Sequence, residues 1–151
     1  MTRDDLIEIL RAHDPLAAAR RITPVRLVTW TRGDETLTAE SVPYGTQVAP
    51  EATADRLLAL AARPAGAVRA VRPTPAEGSP GSWGVQDLAA ITATRLALPD
   101  VEWIRPSWTA LGPALCQVAV AFGANDWVIP DGDRTDPGVL AAAIGCDAVA
   151  R

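Results

Sequence analysis

The sequence predicts a single-domain α/β protein: a partial (half) β/α barrel with parallel strands, preceded by an N-terminal helix and a pair of strands. Its 151 residues are enough for one domain with its own core. From residue 38 onward, strand-like and helix-like segments alternate, which indicates parallel strands joined by crossover helices. Pro and Gly bound most of these segments. We therefore expect one domain over 1–151, with an N-terminal extension of unplaced origin at 1–36 and the half barrel at 37–149.

The N-terminal segment begins with a capped helix. Thr2 precedes Asp4 and Asp5, which is typical of a helix start because carboxylates favour the positive end of the helix dipole. Extended runs over 24–30 and 38–42 flank a turn signal, and we interpret them as two strands joined by a tight connection. This extension, or a dimer, would cover the exposed edge of the sheet.

The remaining elements follow from hydrophobic spacing. Helices are predicted from Pro50, over 85–98, over 111–122 and from the cap Asp136, and strands over 67–72, 101–105 and 126–129. An irregular loop rich in Pro, Gly and Ser is predicted for 73–84. The helix faces predicted to point inward are Ala54, Leu57, Leu58 and Ala61, then Leu111, Leu115, Val118 and Phe122, then Val139, Leu140, Ala143 and Ile144.

Composition excludes several classes of function. The 18 acidic and 14 basic residues give a net charge of −4, which argues against a nucleic-acid partner. The first ten residues do not form a signal peptide, and no apolar run approaches the roughly 18 residues of a membrane span. We therefore expect a cytoplasmic protein with no membrane partner. Two cysteines do not suggest a disulfide framework.

Several short segments carry a family resemblance between Leu37 and Asp147. In order and spacing, the matching segments are Tyr44-Gly45, Pro50-Glu51, Asp55 to Leu58, Gly84 to Leu88, Thr94 to Leu98, Trp108 to Gly112, Ala114 to Gln117 and Phe122 to Asp126. They resemble the C-terminal half of the aminofutalosine synthase and cyclic dehypoxanthinyl futalosine synthase group of radical S-adenosylmethionine enzymes, close also to the FO synthase enzymes. The resemblance implies a half TIM barrel and a link to menaquinone biosynthesis by the futalosine route.

The chain departs from this family where the radical chemistry is done. A [4Fe–4S] cluster of that type needs three closely spaced thiolates, whereas Cys116 and Cys146 are the only cysteines and lie far apart. Relatives usually carry a histidine and a glutamate after the Tyr-Gly corner and an Asp-Gly-Thr after the last strand. Here these places hold Thr46, Val48 and Val128-Ile129-Pro130. We expect no cofactor and no radical chemistry by this chain alone.

Candidate ligand-binding residues follow from the rule that barrel-type folds bind ligands at the C-terminal ends of their strands. The rule selects Tyr44, Gly45, Arg72, Ser107, Trp108, Asn125 and Asp126. The aromatic pair would supply walls, Arg72 a fork for carboxylate or phosphate, and Asn125 with Asp126 hydrogen bonds to a polar ligand. The alternative is that these residues serve folding alone, with Asp126 in an Asx turn or a helix cap.

Other residues could be given a functional role, but each has a simpler structural explanation. His13 lies in the N-terminal helical region and is expected to face solvent. Cys116 falls in an apolar helix and is expected in the core. The segment 78–82 lacks the spacing and the lysine of a phosphate loop, so we expect a flexible connection. The tryptophans are expected in the core or an interface.

Two hypotheses of function remain. The first is a non-catalytic, radical-SAM-like binding or accessory protein, linked to menaquinone biosynthesis, which binds a small molecule and forms a homodimer or pairs with a related subunit. The second is a non-radical enzyme that acts on a nucleoside-like or chorismate-derived molecule through Asp126 and Arg72. The absence of a histidine or a cysteine pair from the expected pocket favours the first.

Overall fold

A computed structural model describes residues 1–12, 14–33, 37–76 and 84–151. His13, Trp83 and the segment 78–82 lie outside the described residues, so the expectations for them stay predictions. The helices, in chain order, are α1 (Arg3–Arg11), α2 (Leu16–Ala19), α3 (Pro50–Ala61), α4 (Val85–Ala97), α5 (Trp108–Val118), a 3-10 helix (Ala119–Phe122) and α6 (Pro137–Ala142). The strands are β1 (Leu27–Arg32), β2 (Glu40–Tyr44), β3 (Ala70–Pro75), β4 (Trp103–Ile104), β5 (Asp126–Ile129) and β6 (Asp147–Ala150).

The strands form two parallel sheets, each of three strands, in the orders β2-β3-β4 and β5-β1-β6. The mixed α/β class and the parallel strands are therefore confirmed. Across the described residues the strands do not close into a barrel.

The predicted pairing of the first two strands is wrong, because β1 and β2 belong to different sheets. The reason lies in their buried side chains. Val28 of β1 is fully buried in one apolar cluster with Trp127 and Ile129, whereas Val42 of β2 is fully buried in another. A direct pair of β1 and β2 would place both side chains on one core. Instead β1 lies in the centre of the second sheet, between β5 and β6.

Each sheet has its own core on one face. The first core lies between β2-β3-β4 and the helices α1, α3 and α4, and the second lies under α5 and α6. In the N-terminal extension, α1 packs on α3 and α4 in the helical layer, while β1 covers the edge of β5. The predicted cap of α1 is confirmed, since Thr2 and Asp5 form a reciprocal capping box.

All three predicted helix faces differ in part from the structure. In α3, Ala61 is exposed and Leu60 is buried in its place. Val118 is 46% exposed because Gly112 adopts a left-handed φ of +81° inside α5, which shifts the register of the helical face after it. At the C-terminus, the predicted inward positions Val139, Ala143 and Ile144 are all exposed. In the six-residue helix α6, Pro137 and Ala141 are buried and the predicted Leu140 packs partly buried against the second core. The chain then continues as β6, a strand that the sequence pattern does not indicate.

The Asn125 side chain connects the two sheets. The Asn125 Oδ1 accepts from the Ile104 N–H at 2.8 Å, and its Nδ2 donates to the Glu102 carbonyl at 2.8 Å. The Asn125 N–H also donates to the Ile104 carbonyl at 3.0 Å. The amide therefore takes the place of strand hydrogen bonds between β4 and β5, whose backbones do not pair as a ladder.

Candidate functional site

The face of the sheets away from the helices carries several polar and charged side chains among apolar ones. Side chains alternate along a strand, so the neighbours of the buried residues Val28, Val71, Ile104 and Trp127 lie on the opposite face. The polar neighbours are Thr29, Arg72, Arg105 and Asp126, and the apolar ones are Leu27, Ala70, Trp103 and Val128. Charged side chains on such a face are unusual, because parallel sheets are ordinarily apolar on both faces. This face is the first place to look for function.

A cavity of about 350 Å³ opens on this side of the fold, where β1, β4 and β5 end. Its lining residues are Gly33, Arg72, Arg105, Pro106, Ser107, Trp108, Thr109, Val128, Pro130 and Asp131. The cavity lining therefore combines two arginines with proline and valine residues, and the volume is within the range of small-molecule sites. We call it the strand-end pocket.

Three of the sequence-predicted site residues meet in the strand-end pocket: Arg72, Ser107 and Trp108. Ser107 is the N-cap residue that precedes α5, but its hydroxyl makes no capping hydrogen bond to the helix. Trp108 is only 5% exposed, so it offers the pocket an edge and not the predicted aromatic wall. Its ring packs edge-on against Trp127 at 6.0 Å, and its Nε1 donates to Asp133 Oδ2 at 2.8 Å.

Behind the pocket, a buried carboxylate joins two arginines. Asp126 is fully buried. Its Oδ2 accepts from Arg105 Nε at 2.7 Å and from Arg151 Nη2 at 3.1 Å. Its Oδ1 accepts from Thr29 Oγ1 at 2.7 Å and from Arg151 Nε at 3.2 Å. Both oxygens are therefore engaged within the protein, and we call this group of four residues the Asp126 cluster.

The Asp126 cluster corrects the expectation for this residue. The sequence places Asn125 and Asp126 at a strand end, but they precede and begin β5, at the opposite end from the strand-end pocket. Asp126 forms neither an Asx turn nor a helix cap, because its partners are side chains of other elements. Asn125 is engaged in joining β4 to β5, as described above.

The guanidinium groups of the cluster are held in different ways. Burial lowers the pKa of the Arg105 guanidinium, and the hydrogen bond to Asp126 opposes that shift. The Arg105 Nη1 also donates to the Leu37 carbonyl at 3.2 Å. The Arg151 guanidinium lies 5.6 Å from the centroid of the Trp103 ring, a cation–π contact. Arg105 therefore reaches from the buried Asp126 to the wall of the strand-end pocket, while Arg151 stays behind it.

Tyr44 and Gly45 lie apart from the strand-end pocket. The Tyr44 hydroxyl donates to Asp87 Oδ1 at 2.6 Å, and the side chain is almost fully buried. Burial, with a smaller contribution from Asp87, raises the pKa of the phenol well above its usual range. The cavity beside Tyr44 measures only about 20 Å³, which is room for a water molecule and not for a larger ligand.

Two larger cavities, each about 450 Å³, lie at the amino ends of the strands. The first has an ion pair at its surface, with Arg69 bonded to Glu102 at 3.2 Å. In the second, Arg95 donates to the carbonyls of Gly123 and Val101 and so holds a loop. These arginines have evident structural tasks, so both cavities are weaker candidates than the strand-end pocket.

Sequence reasoning missed Arg105, Arg151 and Thr29. Arg105 could have been found, because it alternates with Trp103 and precedes Pro106 at the end of a predicted strand. Arg151 and Thr29 could not, because their shared partner depends on β1 lying between β5 and β6.

The described ranges contain no group of three or more His, Cys, Asp or Glu side chains placed to hold a metal ion. Of the helices in that part of the chain, none combines the length and the apolar character needed to cross a bilayer. Cys116 is fully buried, as predicted, and burial with a smaller effect of Asp87 raises the pKa of its thiol to about 12.

A scan against models of protein families and a search of curated proteins each found no match to this chain. Its function must therefore be inferred from its own residues and their geometry.

Proposed function

We propose that this chain is a non-catalytic, radical-SAM-like binding or accessory protein that holds a small acidic molecule in the strand-end pocket. The observation that carries the proposal is the pair of arginines in one wall of that pocket. Arg72 and Arg105 come from neighbouring strands of the first sheet and both line the cavity. Of the two, Arg72 is the candidate ligand donor, because a guanidinium donates charge-assisted hydrogen bonds in a fork geometry to an anionic oxygen. Arg105, whose side chain is 2% exposed and bonded to Asp126, contributes positive charge from behind the wall.

The rest of the lining suits an acid with an apolar body. Val128, Pro106 and Pro130 provide apolar surface, and the Ser107 hydroxyl can donate to an oxygen of the ligand. Asp131, which is exposed at the rim, would repel a second negative charge on that side. These features favour a monoanionic acid over a polyphosphate.

The proposed ancestry is the C-terminal half of a radical S-adenosylmethionine barrel, with a role in menaquinone biosynthesis by the futalosine route. Parallel strands alternating with helices from β2 onward agree with a half barrel, and Asn125 brings β4 beside β5. The chemistry of that family is not proposed, because Cys116 and Cys146 are both buried, one in α5 and the other in the turn between α6 and β6.

The alternative enzyme, which would act on a nucleoside-like or chorismate-derived molecule, has less support. It assigns proton transfer or ligand contact to Asp126, whose carboxylate is fully buried and already accepts four hydrogen bonds. A general base needs access to the proton that it removes. We therefore favour binding over catalysis.

The experiment is ligand binding by thermal shift and calorimetry. S-adenosylmethionine, futalosine analogues and chorismate-derived aromatic acids are compared, each acid with its neutral amide. A ligand of the native state raises the melting temperature, so we expect a shift with one acid and none with its amide. The Arg72→Gln variant should lose that shift. The Arg69→Gln variant should keep it, because Arg69 is exposed and precedes β3, at the end of the strand away from the pocket.

Two results would overturn the proposal. One is the absence of a shift with every acid. The other is equal affinity of the folded Arg72→Gln and Arg69→Gln proteins for an acid that binds. The Asp126→Ala variant is unsuitable as a control, since loss of this buried carboxylate disturbs the fold itself.

A further inference from the structure

Three arginines lie together at the amino ends of the strands. One of the two cavities of about 450 Å³ at that end has Arg21, Arg26 and Arg95 in its lining. Among the described residues that line it there is no aspartate or glutamate, so its charge is positive although the whole chain carries a net charge of −4. We call it the amino-end cavity. It shares no described lining residue with the strand-end pocket.

Arg95 is fixed in the wall of the amino-end cavity by backbone groups. Its Nε donates to the Gly123 carbonyl at 3.0 Å and its Nη1 to the Val101 carbonyl at 2.8 Å. Gly123 has a φ of +108°, and a Cβ at that position would lie 2.6 Å from the Arg95 Cβ, so a side chain there would displace Arg95. The Arg95 Nη2 forms no hydrogen bond within the described ranges. The guanidinium therefore holds a loop and still keeps one NH₂ group for a ligand.

The positive charge of the amino-end cavity is not neutralised by the protein. The carbonyls that accept from Arg95 carry no net charge, and no ion pair of the described residues includes Arg21, Arg26 or Arg95. The Asp5 carboxylate is influenced by the charge of Arg21, but its hydrogen bonds go to Thr2. Burial lowers the pKa of Arg95, because a partly desolvated cation without a carboxylate is costly. A bound anion would supply the missing charge.

Arg21 and Arg26 belong to the segment that leads from α2 to β1. Its backbone is tied at both positions, since the Arg21 N–H donates to the Ala18 carbonyl at 3.0 Å and the Arg26 carbonyl accepts from the Asp147 N–H at 3.0 Å. The side chains of both arginines are exposed and form no hydrogen bond within the described part of the chain. No protein contact has to be broken when they turn toward an anion.

We propose that the amino-end cavity binds a phosphate monoester through Arg21, Arg26 and Arg95. A phosphate monoester carries nearly two negative charges and three acceptor oxygens, which three guanidinium groups match better than they match one carboxylate. The Thr23 hydroxyl, also in the lining, can donate a further hydrogen bond. Leu27, which is 48% exposed, offers apolar surface to the body of the ligand.

The test is calorimetric titration with phenyl phosphate, which joins a phosphate to an apolar ring. We expect saturable binding by the wild-type chain and weaker binding of methyl phenyl phosphate, which has one negative charge fewer. The Arg21→Gln/Arg26→Gln double variant should bind phenyl phosphate at least about tenfold more weakly. The matched control is Arg20→Gln/Arg134→Gln, which changes the net charge equally. Arg20 and Arg134 are exposed and lie outside the lining, so the control should bind as the wild type does.

Two further measurements locate the phosphate. Amide chemical shifts in NMR spectra should change most over 22–27 and 95–96 when phenyl phosphate is added. The Arg72→Gln variant should bind it as tightly as the wild type does, so the result does not depend on the function proposed for the strand-end pocket. Absence of saturable binding would overturn the proposal, as would an equal loss in the control variant. Loss in Arg72→Gln, with the largest shifts over 105–109, would also overturn it by placing the phosphate in the strand-end pocket.

Discussion

Among substitutions that remove one charge from this protein, replacement of Asp126 by asparagine should lower the free energy of unfolding the most. The substitution keeps the shape of the side chain but removes its charge, and leaves Arg105 and Arg151 without their shared carboxylate. The Arg105 side chain is 2% exposed and that of Arg151 is 12% exposed, so water cannot readily replace the lost partner. The amide nitrogen introduced by the substitution would also direct a donor toward donors.

The magnitude follows from burial. Removal of one partner from a buried ion pair costs about 3–5 kcal/mol in the free energy of unfolding. For a chain of this size each kcal/mol lowers the melting temperature by about 2–4 °C, so we expect a fall of roughly 6–20 °C. That loss is a large share of the about 5–15 kcal/mol that stabilises an ordinary domain.

The assay is urea unfolding followed by tryptophan fluorescence, together with a thermal melt. Asp55→Asn is the matched control, because Asp55 accepts from Arg3 Nε at 2.7 Å in a pair whose side chains are 48% and 58% exposed. Exposed pairs of this kind contribute little to stability, so the control should melt close to the wild type. Equal stability of the two variants would refute the structural role given to the Asp126 cluster.

Three further predictions concern single side chains. Tyr44→Phe removes the hydrogen bond to the buried Asp87 and should lower the free energy of unfolding in urea by about 1.5–3 kcal/mol. Ligand affinity should not change; weaker binding would indicate that Tyr44 belongs to the ligand site. Hydrogen bonds hold the pKa of Asp133 at about 2, below the value of about 3.9 in the unfolded chain. Its stabilisation should therefore be complete above about pH 4 and fade toward pH 2, so wild-type and Asp133→Asn melting temperatures should converge on acidification; a constant difference would contradict this. In a Cys146→Ser background, Cys116 should react with a disulfide reagent at pH 8 only as fast as the chain unfolds, because its pKa is about 12; rapid reaction of the native protein would disprove its burial.

Local sequence signals predict most of the elements, because helix caps and hydrophobic spacing act over a few residues. Thr2 and Asp136 cap the helices that the sequence assigns to them, and Cys116 lies in the core as predicted. The choice of strand partners cannot be predicted in the same way. β1 and β2 are close in sequence, yet their buried valines belong to different cores, and only the packing of the whole chain decides between those cores.

The site residues also fall into those that local sequence predicts and those that depend on the order of the strands. Ser107 and Trp108 are predictable because they follow a strand, where ligands are met in this class of fold. Arg72 is selected as the last residue of a strand predicted over 67–72, but β3 continues to Pro75 and Arg72 lies inside it. Arg151 is not predictable, because β6 leaves no clear pattern in the sequence and because the contact of Arg151 with Asp126 depends on the order β5-β1-β6. Long-range order of this kind leaves little trace in the local sequence.

The two residues that end the last matching segment of the family resemblance illustrate what a motif can and cannot imply. Asn125 joins β4 to β5 with its amide, and Asp126 pairs with two buried arginines. Both roles are needed by the fold whatever the protein binds. The presence of this pair is therefore explained without a ligand, so it is no evidence of a shared activity. Ligand binding has to rest on Arg72 and Ser107, because they line the strand-end pocket, where a ligand can reach them.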